Sequence, residues 1–188
     1  MRREIRITGM GGQGAITIAR VLGRAAAIYD DKEVTITEGY SPYITGGWSM
    51  GDIVISDESI DYPRVSSLDG LLTMYQAGLD SNAAMVKPNG VILVERRLVD
   101  SSRDRSGKRI LSLPAMATAE SLGRKVLMNV VLLGSLVATT SAVSMESIQR
   151  AVAEVFPRYS ELNLRALSAG YDLARNYDRE VHPHLKSF

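Results

Sequence analysis

Residues 5–16 read Ile5-Arg6-Ile7-Thr8-Gly9-Met10-Gly11-Gly12-Gln13-Gly14-Ala15-Ile16. The isoleucines alternate with polar neighbours, which predicts a first strand over residues 4–8. The glycines that follow have the G-x-G-x-x-G spacing. Apolar residues then recur every three or four positions, which predicts a helix over residues 13–29. The chain is therefore expected to open with a short strand, a glycine turn and a long helix.

The glycine turn is the first candidate binding site. A tight turn between a strand and a helix needs residues without a Cβ atom. The helix that follows directs its unpaired N–H groups and its positive dipole end at whatever lies on the turn. We therefore predict that the turn holds a phosphate group of a nucleotide-type ligand; the alternative is a packing turn that binds nothing. The candidate binding residues are Gly9, Met10, Gly11, Gly12, Gln13 and Gly14.

A second candidate region follows the next predicted strand, residues 33–38, which would complete a parallel, right-handed βαβ unit. Glu38 ends this strand, where an acid of a dinucleotide-binding fold hydrogen-bonds a ribose hydroxyl. The alternative is a strand-end carboxylate that faces water. The loop after it is rich in aromatic residues and glycine, which is typical of a ligand or partner surface, although a rigid turn would have the same composition. Its candidate residues are Tyr40, Ser41, Tyr43, Gly46 and Gly47.

Charged residues on the outer face of the first helix are weaker candidates. Arg20 and Arg24 would lie on the side away from the sheet, where either is a candidate phosphate partner. Exposed arginines are more often solvated helix charges, and that interpretation is favoured here.

The remaining pattern predicts an α/β fold with a Rossmann-like, mostly parallel sheet flanked by helices. Residues 49–56 form a strand too close to its predecessor for a crossover helix, so it should run antiparallel to it or lie at an edge. Further strands are expected at 67–74, 91–94 and 109–113, with a turn at Pro88-Asn89-Gly90. We expect a single domain of residues 1–188, with an α/β core at 1–113, a helical part at 114–176 and a charged, extended tail at 177–188.

Residues 126–145 carry no charge, although the segment contains several hydroxyl side chains. Its length would suffice to cross a bilayer. The hydroxyl groups and the absence of a basic flank instead favour a buried core helix or a subunit-interface helix. We therefore expect no membrane span here.

Composition excludes several kinds of chemistry. The chain has 188 residues, 45% of them hydrophobic, and a net charge of +1, which argues against a nucleic-acid surface. It contains no cysteine, so this chain has no thiolate nucleophile and cannot ligate an iron–sulfur cluster through cysteine. Its only histidines, His182 and His184, are too few for a metal site and do not support a catalytic triad. The charged N-terminus predicts a strand rather than a signal peptide, which favours a cytoplasmic protein.

Four motifs occur together in this chain, and their combination is more specific than any one of them. They are Gly9-Met10-Gly11-Gly12-Gln13-Gly14, then Glu38-Gly39-Tyr40-Ser41-Pro42-Tyr43 with Gly46-Gly47, then Ile53-Val54-Ile55-Ser56-Asp57, and Leu127-Met128-Asn129-Val130-Val131-Leu132-Leu133-Gly134. This combination resembles the gamma subunit, or gamma domain, of the 2-oxoacid:ferredoxin oxidoreductases over nearly the whole chain. Trp48 departs from the pattern, because a small polar residue is expected after the glycine pair.

The resemblance implies a complex that oxidatively decarboxylates a 2-oxoacid, forms an acyl-CoA and passes electrons to ferredoxin. Thiamine diphosphate and iron–sulfur clusters would lie on partner subunits: alpha and beta catalytic subunits and a ferredoxin-like subunit. The gamma part would be non-catalytic, have a Rossmann-like fold, and hold coenzyme A at the two glycine loops. The isolated chain would be a candidate homodimer.

Two other functions are compatible with the same residues. The glycine turn and Glu38 would also suit a stand-alone NAD- or FAD-dependent oxidoreductase, although the early antiparallel strand and the lack of an evident acid–base residue weigh against it. A structural adaptor would use the glycine loops only to shape an interface.

Overall fold

A computed structural model describes residues 1–42, 47–104 and 106–181. Its centre is a six-stranded sheet in the order β2-β3-β1-β4-β5-β6. The strands are β1 (Arg2–Met10), β2 (Glu33–Tyr40), β3 (Trp48–Ser56), β4 (Leu68–Thr73), β5 (Val86–Glu95) and β6 (Arg109–Leu113). Strands β1, β4, β5 and β6 are parallel, whereas β3 is antiparallel to both of its neighbours. This confirms the predicted α/β class and its Rossmann-like, mostly parallel sheet.

The position of β3 has a local cause. The connection between β2 and β3 is short, so β3 must turn back and pair with β2 as a hairpin. The other edge of β3 then pairs with β1, from Arg2 opposite Ser56 to Met10 opposite Trp48. Strand β2 keeps the direction expected for a βαβ unit, but β3 separates it from β1 and leaves β2 at the edge of the sheet.

Six α-helices surround the sheet within the described residues: α1 (Ala15–Arg24), α2 (Gln76–Asn82), α3 (Ala115–Ser121), α4 (Met128–Thr140), α5 (Met145–Val155) and α6 (Ser160–Val181). A turn of π-helix over Ala25–Tyr29 prolongs α1. The larger core cluster joins one face of the sheet to α1, α4, α5 and α6, and a smaller one joins the other face to α2. The glycine turn between β1 and α1 thus lies at the carboxyl ends of the parallel strands.

Helix α4 corresponds to the uncharged segment and is a core helix, with nearly every side chain buried. It packs closely on α6, where Ser135 Oγ donates to the Gly170 carbonyl oxygen at 2.7 Å. None of the helices in the described part of the chain combines the length and the apolar character that a bilayer crossing needs.

Two local predictions are wrong. Pro88-Asn89-Gly90 is not a turn between elements but lies inside β5, where the pairing with β4 shifts register. Residues 177–181 continue α6 instead of starting an extended tail. Residues 182–188, which include His182 and His184, lie outside the described residues.

Candidate functional site

The glycine turn has the backbone conformation that its sequence predicts. Gly12 and Gly14 adopt φ values of 87° and 76°, in the left-handed region that favours glycine. A Cβ atom at Gly12 would have no heavy atom within 4 Å, so this residue borders open space. At Gly14, a Cβ atom would instead collide with the side-chain amide of Asn129, at the start of α4. The turn is therefore open on one side and supported by α4 on the other.

Gln13 holds the turn together. Its Oε1 accepts from the Met10 backbone N–H at 2.6 Å, and its Nε2 donates to the Met74 carbonyl oxygen at 3.2 Å. The Gln13 backbone N–H also donates to the Met10 carbonyl oxygen at 3.0 Å. Gly9 packs against Met74 as well, since a Cβ atom at Gly9 would come 2.9 Å from Met74 Cε. Gly9, Met10 and Gln13 thus shape the turn and do not line the space beside it.

The two glycine loops meet directly. The backbone N–H of Gly11 donates to the carbonyl oxygen of Gly47 at 2.8 Å, and that of Ser41 to the carbonyl oxygen of Trp48 at 2.9 Å. Contact between positions this far apart in the chain joins the predicted phosphate turn to the aromatic loop. Tyr43 and Gly46, which were also predicted site residues, lie outside the described residues.

A cleft of about 510 Å³ opens between these loops and α1. Its described lining is formed by Gly11, Gly12, Gly14, Ala15, Ile16, Thr17, Arg20, Tyr40, Ser41, Gly47, Trp48 and Ser49. None of these lining residues is acidic, and one is an arginine. Gly11, Gly12, Gly14, Tyr40, Ser41 and Gly47 were predicted as site residues, and Arg20 as a weaker candidate. The other lining residues on α1 and β3, namely Ala15, Ile16, Thr17, Trp48 and Ser49, were not predicted.

The amino end of α1 faces this cleft without a capping side chain. Gly14 is the N-cap residue, no side chain caps the helix, and its first turn contains no acid. The N–H groups of the first turn of a helix have no intrahelical acceptor, and the helix dipole adds positive potential there. This is the arrangement that binds phosphate groups at helix N-termini.

Glu38 does not line the cleft. Its two carboxylate oxygens accept from Arg20, from Nε at 2.6 Å and from Nη2 at 2.9 Å. The Tyr40 hydroxyl donates to the same carboxylate at 2.8 Å. The hydrogen bonds from Arg20 and Tyr40 lower the pKa of Glu38 below its ordinary value. The carboxylate is therefore engaged by Arg20 and Tyr40, and of the three residues only Glu38 is absent from the cleft lining.

Arg24, the other candidate phosphate partner, lies outside the cleft lining. It forms a two-point ion pair with Glu154 on α5, and the Tyr29 hydroxyl donates to the same carboxylate at 2.7 Å. Its role is to tie α1 to α5, so only Arg20 has the position of a ligand contact.

Three large apolar side chains remain exposed near the cleft. Met10 and Trp48 face each other across β1 and β3 and are 36% and 38% exposed, and Tyr40 is 61% exposed. Trp48 lies over Gly39, where a Cβ atom would come 3.4 Å from the indole ring. Clustered exposed apolar side chains are typical of a protein–protein contact surface.

Comparison with known proteins identifies relatives over nearly the whole chain. A family model described as pyruvate ferredoxin/flavodoxin oxidoreductase matches residues 4–173. The 2-oxoglutarate synthase subunit KorC from Methanocaldococcus jannaschii is 39% identical over 178 residues, which cover 93% of this chain and 95% of that subunit.

Solved structures agree with this relationship. The gamma subunit of a keto/oxoacid ferredoxin oxidoreductase from Geobacter sulfurreducens has a TM-score of 0.81 and 33% identity, covering 93% of this chain and 99% of that one. A 2-oxoglutarate:ferredoxin oxidoreductase from Magnetococcus marinus, with 2-oxoglutarate, coenzyme A and succinyl-CoA bound, has a TM-score of 0.83. At 23% identity, covering 93% of this chain and 31% of that one, it shares the fold.

Proposed function

The chain belongs to the pyruvate ferredoxin/flavodoxin oxidoreductase family, as a gamma subunit of a 2-oxoacid:ferredoxin oxidoreductase, and we propose that its glycine cleft holds coenzyme A for that complex. The relatives named above support a subunit of a larger oxidoreductase and do not support a stand-alone NAD- or FAD-dependent enzyme. The Magnetococcus marinus enzyme, which shares the fold, has coenzyme A bound.

The observation that carries this proposal is the uncapped amino end of α1 beside two left-handed glycines. Coenzyme A contains a pyrophosphate, which needs several convergent N–H donors and close approach to the backbone. Gly12 leaves the space for that approach, and no described lining residue would repel the negative charge. The residues present therefore fit the pyrophosphate of coenzyme A.

The same proposal assigns the remaining chemistry to partner subunits. With no cysteine, the chain cannot supply thiolate ligands to an iron–sulfur cluster. Thiamine diphosphate and the clusters would lie on alpha and beta catalytic subunits and on a ferredoxin-like subunit, from which electrons pass to ferredoxin. The exposed patch of Met10, Tyr40 and Trp48 is the surface we assign to contact with the catalytic subunits. We place the complex in the cytoplasm, where coenzyme A is available.

Gly12 offers a sharp test, because aspartate and asparagine have the same shape and both tolerate a left-handed backbone. Gly12→Asp adds a negative charge to the open side of the cleft, and Gly12→Asn is its matched control. Two unit charges about 5 Å apart repel by about 3 kcal/mol at an effective dielectric constant of about 20. Allowing for solvent, we expect Gly12→Asp to raise the KM for coenzyme A by about tenfold or more.

The measurement uses the complex purified through a tag on this chain and assayed for 2-oxoacid-dependent ferredoxin reduction. The KM for the 2-oxoacid should stay the same in both variants, and Gly12→Asn should leave the KM for coenzyme A within about threefold of the wild type. If Gly12→Asp disturbed assembly but left the KM for coenzyme A unchanged, the chain would be a structural adaptor. If the complex lacking this chain formed acyl-CoA at the full rate, the proposed role would be refuted.

A further inference from the structure

Arg20 is fixed at the mouth of the cleft by a contact that uses only part of its hydrogen-bonding capacity. Glu38 accepts from its Nε and Nη2 atoms at 2.6 and 2.9 Å, which holds the guanidinium plane against β2. The N–H groups on Nη1 donate to none of the residues that the structure describes. The side chain is 64% exposed and lines the cleft, so these donors are accessible to a ligand there.

The carboxylate that holds Arg20 is itself well fixed. The Tyr40 hydroxyl, two residues away on β2, donates to Glu38 Oε2 at 2.8 Å and gives the carboxylate a second fixed partner. The hydrogen bond from Arg20 lowers the pKa of Glu38, and the hydrogen bond from Arg20 to Glu38 raises the pKa of the guanidinium. Both groups therefore stay charged at neutral pH, and the guanidinium keeps its orientation.

Arg20 is also displaced from the amides that would hold a pyrophosphate. From Ala15 to Arg20 the helix rises by about 7.5 Å, so the two sets of donors are separated along one wall of the cleft. A ribose ring spans a comparable distance between phosphates on its 5′ and 3′ oxygens. A ligand that carries both groups would match both sets of donors at once.

Resting on the proposed function, we propose that Arg20 is a specificity residue that binds the 3′-phosphate of coenzyme A. The 3′-phosphate is a phosphomonoester with a charge of about −1.5 to −2 at neutral pH. The Nη1 donors that Glu38 does not use can add charge-assisted hydrogen bonds to such a group. The cleft therefore selects nucleotides that carry both a pyrophosphate and a phosphomonoester over those that carry a pyrophosphate alone.

The chain contains a matched control for this proposal. Arg24 lies one helical turn farther along α1 and forms the same set of contacts, with Glu154 as the carboxylate and Tyr29 as the hydroxyl donor. It does not line the cleft. Arg20→Met and Arg24→Met therefore remove the same charge and the same kind of ion pair from one helix, and only the first removes a ligand contact.

The experiment is a calorimetric titration of the complex, purified through a tag on this chain, with coenzyme A and with dephospho-coenzyme A, which lacks only the 3′-phosphate. We expect the wild type to bind coenzyme A at least about tenfold more tightly than dephospho-coenzyme A. In Arg20→Met this ratio should fall to about one, with the affinity for dephospho-coenzyme A retained. In Arg24→Met the ratio should match the wild type. Because exposed ion pairs contribute little to stability, both variants are expected to fold.

Three results would overturn this proposal alone, and a fourth would also overturn the proposed function. Equal weakening of the binding of both ligands in Arg20→Met would assign Arg20 to the pyrophosphate. Equal loss of selectivity in Arg20→Met and Arg24→Met would show that the selectivity comes from the net charge of the chain and not from a contact with Arg20. Equal binding of both ligands by the wild type would remove the 3′-phosphate site but leave the proposed coenzyme A cleft. Binding of neither ligand would refute the proposed function itself.

Discussion

Replacing Gly170 by alanine tests the close contact between α4 and α6 that supports the candidate site. A methyl group at Gly170 would lie 2.6 Å from the Val131 carbonyl carbon and 2.9 Å from its Cα, against an ordinary contact distance of 3.4 Å. Both neighbours are backbone atoms, so rotating a side chain cannot relieve the collision. The helices must separate by about 0.8 Å or more at this point.

The cost of that separation follows from three effects. Overpacking a rigid site costs about 3 kcal/mol, at the upper end of the usual range. Moving α6 also weakens the buried hydrogen bond from Ser135 Oγ to the Gly170 carbonyl oxygen, which contributes about 1 kcal/mol. The higher helix propensity of alanine offsets about 1 kcal/mol. We therefore expect Gly170→Ala to lower the free energy of unfolding by about 3 kcal/mol.

Thermal unfolding followed by far-UV circular dichroism measures this loss. For a chain of this size, about 3 kcal/mol corresponds to a fall in Tm of about 6–12 °C. Asp172→Ala, on the exposed side of the same helix, should change the free energy by less than about 0.5 kcal/mol. Gly134→Ala should resemble Gly170→Ala, since its methyl group would lie 2.9 Å from the Leu167 carbonyl carbon. A loss below about 1 kcal/mol in both glycine variants would refute the backbone-to-backbone packing of α4 and α6.

Three further predictions concern the loop, the sheet and the surface. Gly14→Ala, with φ at 76° and its methyl group against the Asn129 amide, should lower stability by about 1–3 kcal/mol in chemical denaturation, and adding Asn129→Ala should recover part of that loss. Asp52→Ala leaves Arg6, 13% exposed, without its two-point partner at 2.7 Å and should cost about 3 kcal/mol in urea unfolding. Hydrogen bonds from Arg24 and Tyr29 lower the pKa of Glu154 to about 2. The stabilising contribution of its carboxylate is therefore present above about pH 4.5 and is lost as the pH falls towards 2. Glu154→Gln removes this contribution, so its Tm should fall less than that of the wild type over the same pH range.

The elements of this fold could be predicted because their signals are local. Alternating isoleucines mark β1, and the period of apolar residues marks α1. The hairpin direction of β3 followed from the length of its connection alone. The position of β3 between β2 and β1 depends on which strand its second edge meets, and no local pattern determines that.

The failure at Pro88-Asn89-Gly90 has the same origin. These residues have turn chemistry, and the backbone does leave the regular ladder there, with Leu68 opposite Val86 and Gly70 opposite Val91. The buried strand on one side of them and Val86 on the other nevertheless pair with the same neighbour, β4. The turn residues therefore mark an interruption of the pairing within one strand and not the end of the strand.

The candidate site divides in the same way. The tight glycine turn and the helix whose amino end faces it were predicted from spacing, because both are properties of one short stretch of chain. The bond from Gly11 to Gly47 and the support of Gly14 by Asn129 join distant parts of the chain. These two contacts depend on how the hairpin and α4 pack around α1, and no local sequence pattern predicts them.

Arg20 and Arg24 show why position decides function here. Both are arginines on the outer face of α1, and each pairs with a glutamate that also accepts from a tyrosine. The two side chains therefore have the same charge and the same kinds of hydrogen-bond partner. The rotation of about 40° that four residues add beyond one turn, together with the rise of the helix, turns Arg24 towards α5 and leaves Arg20 beside the glycine loop. A ligand whose binding is weakened by Arg20→Met but not by Arg24→Met must therefore lie within the cleft. Comparing the two variants thus locates the ligand and also identifies the residue that selects it.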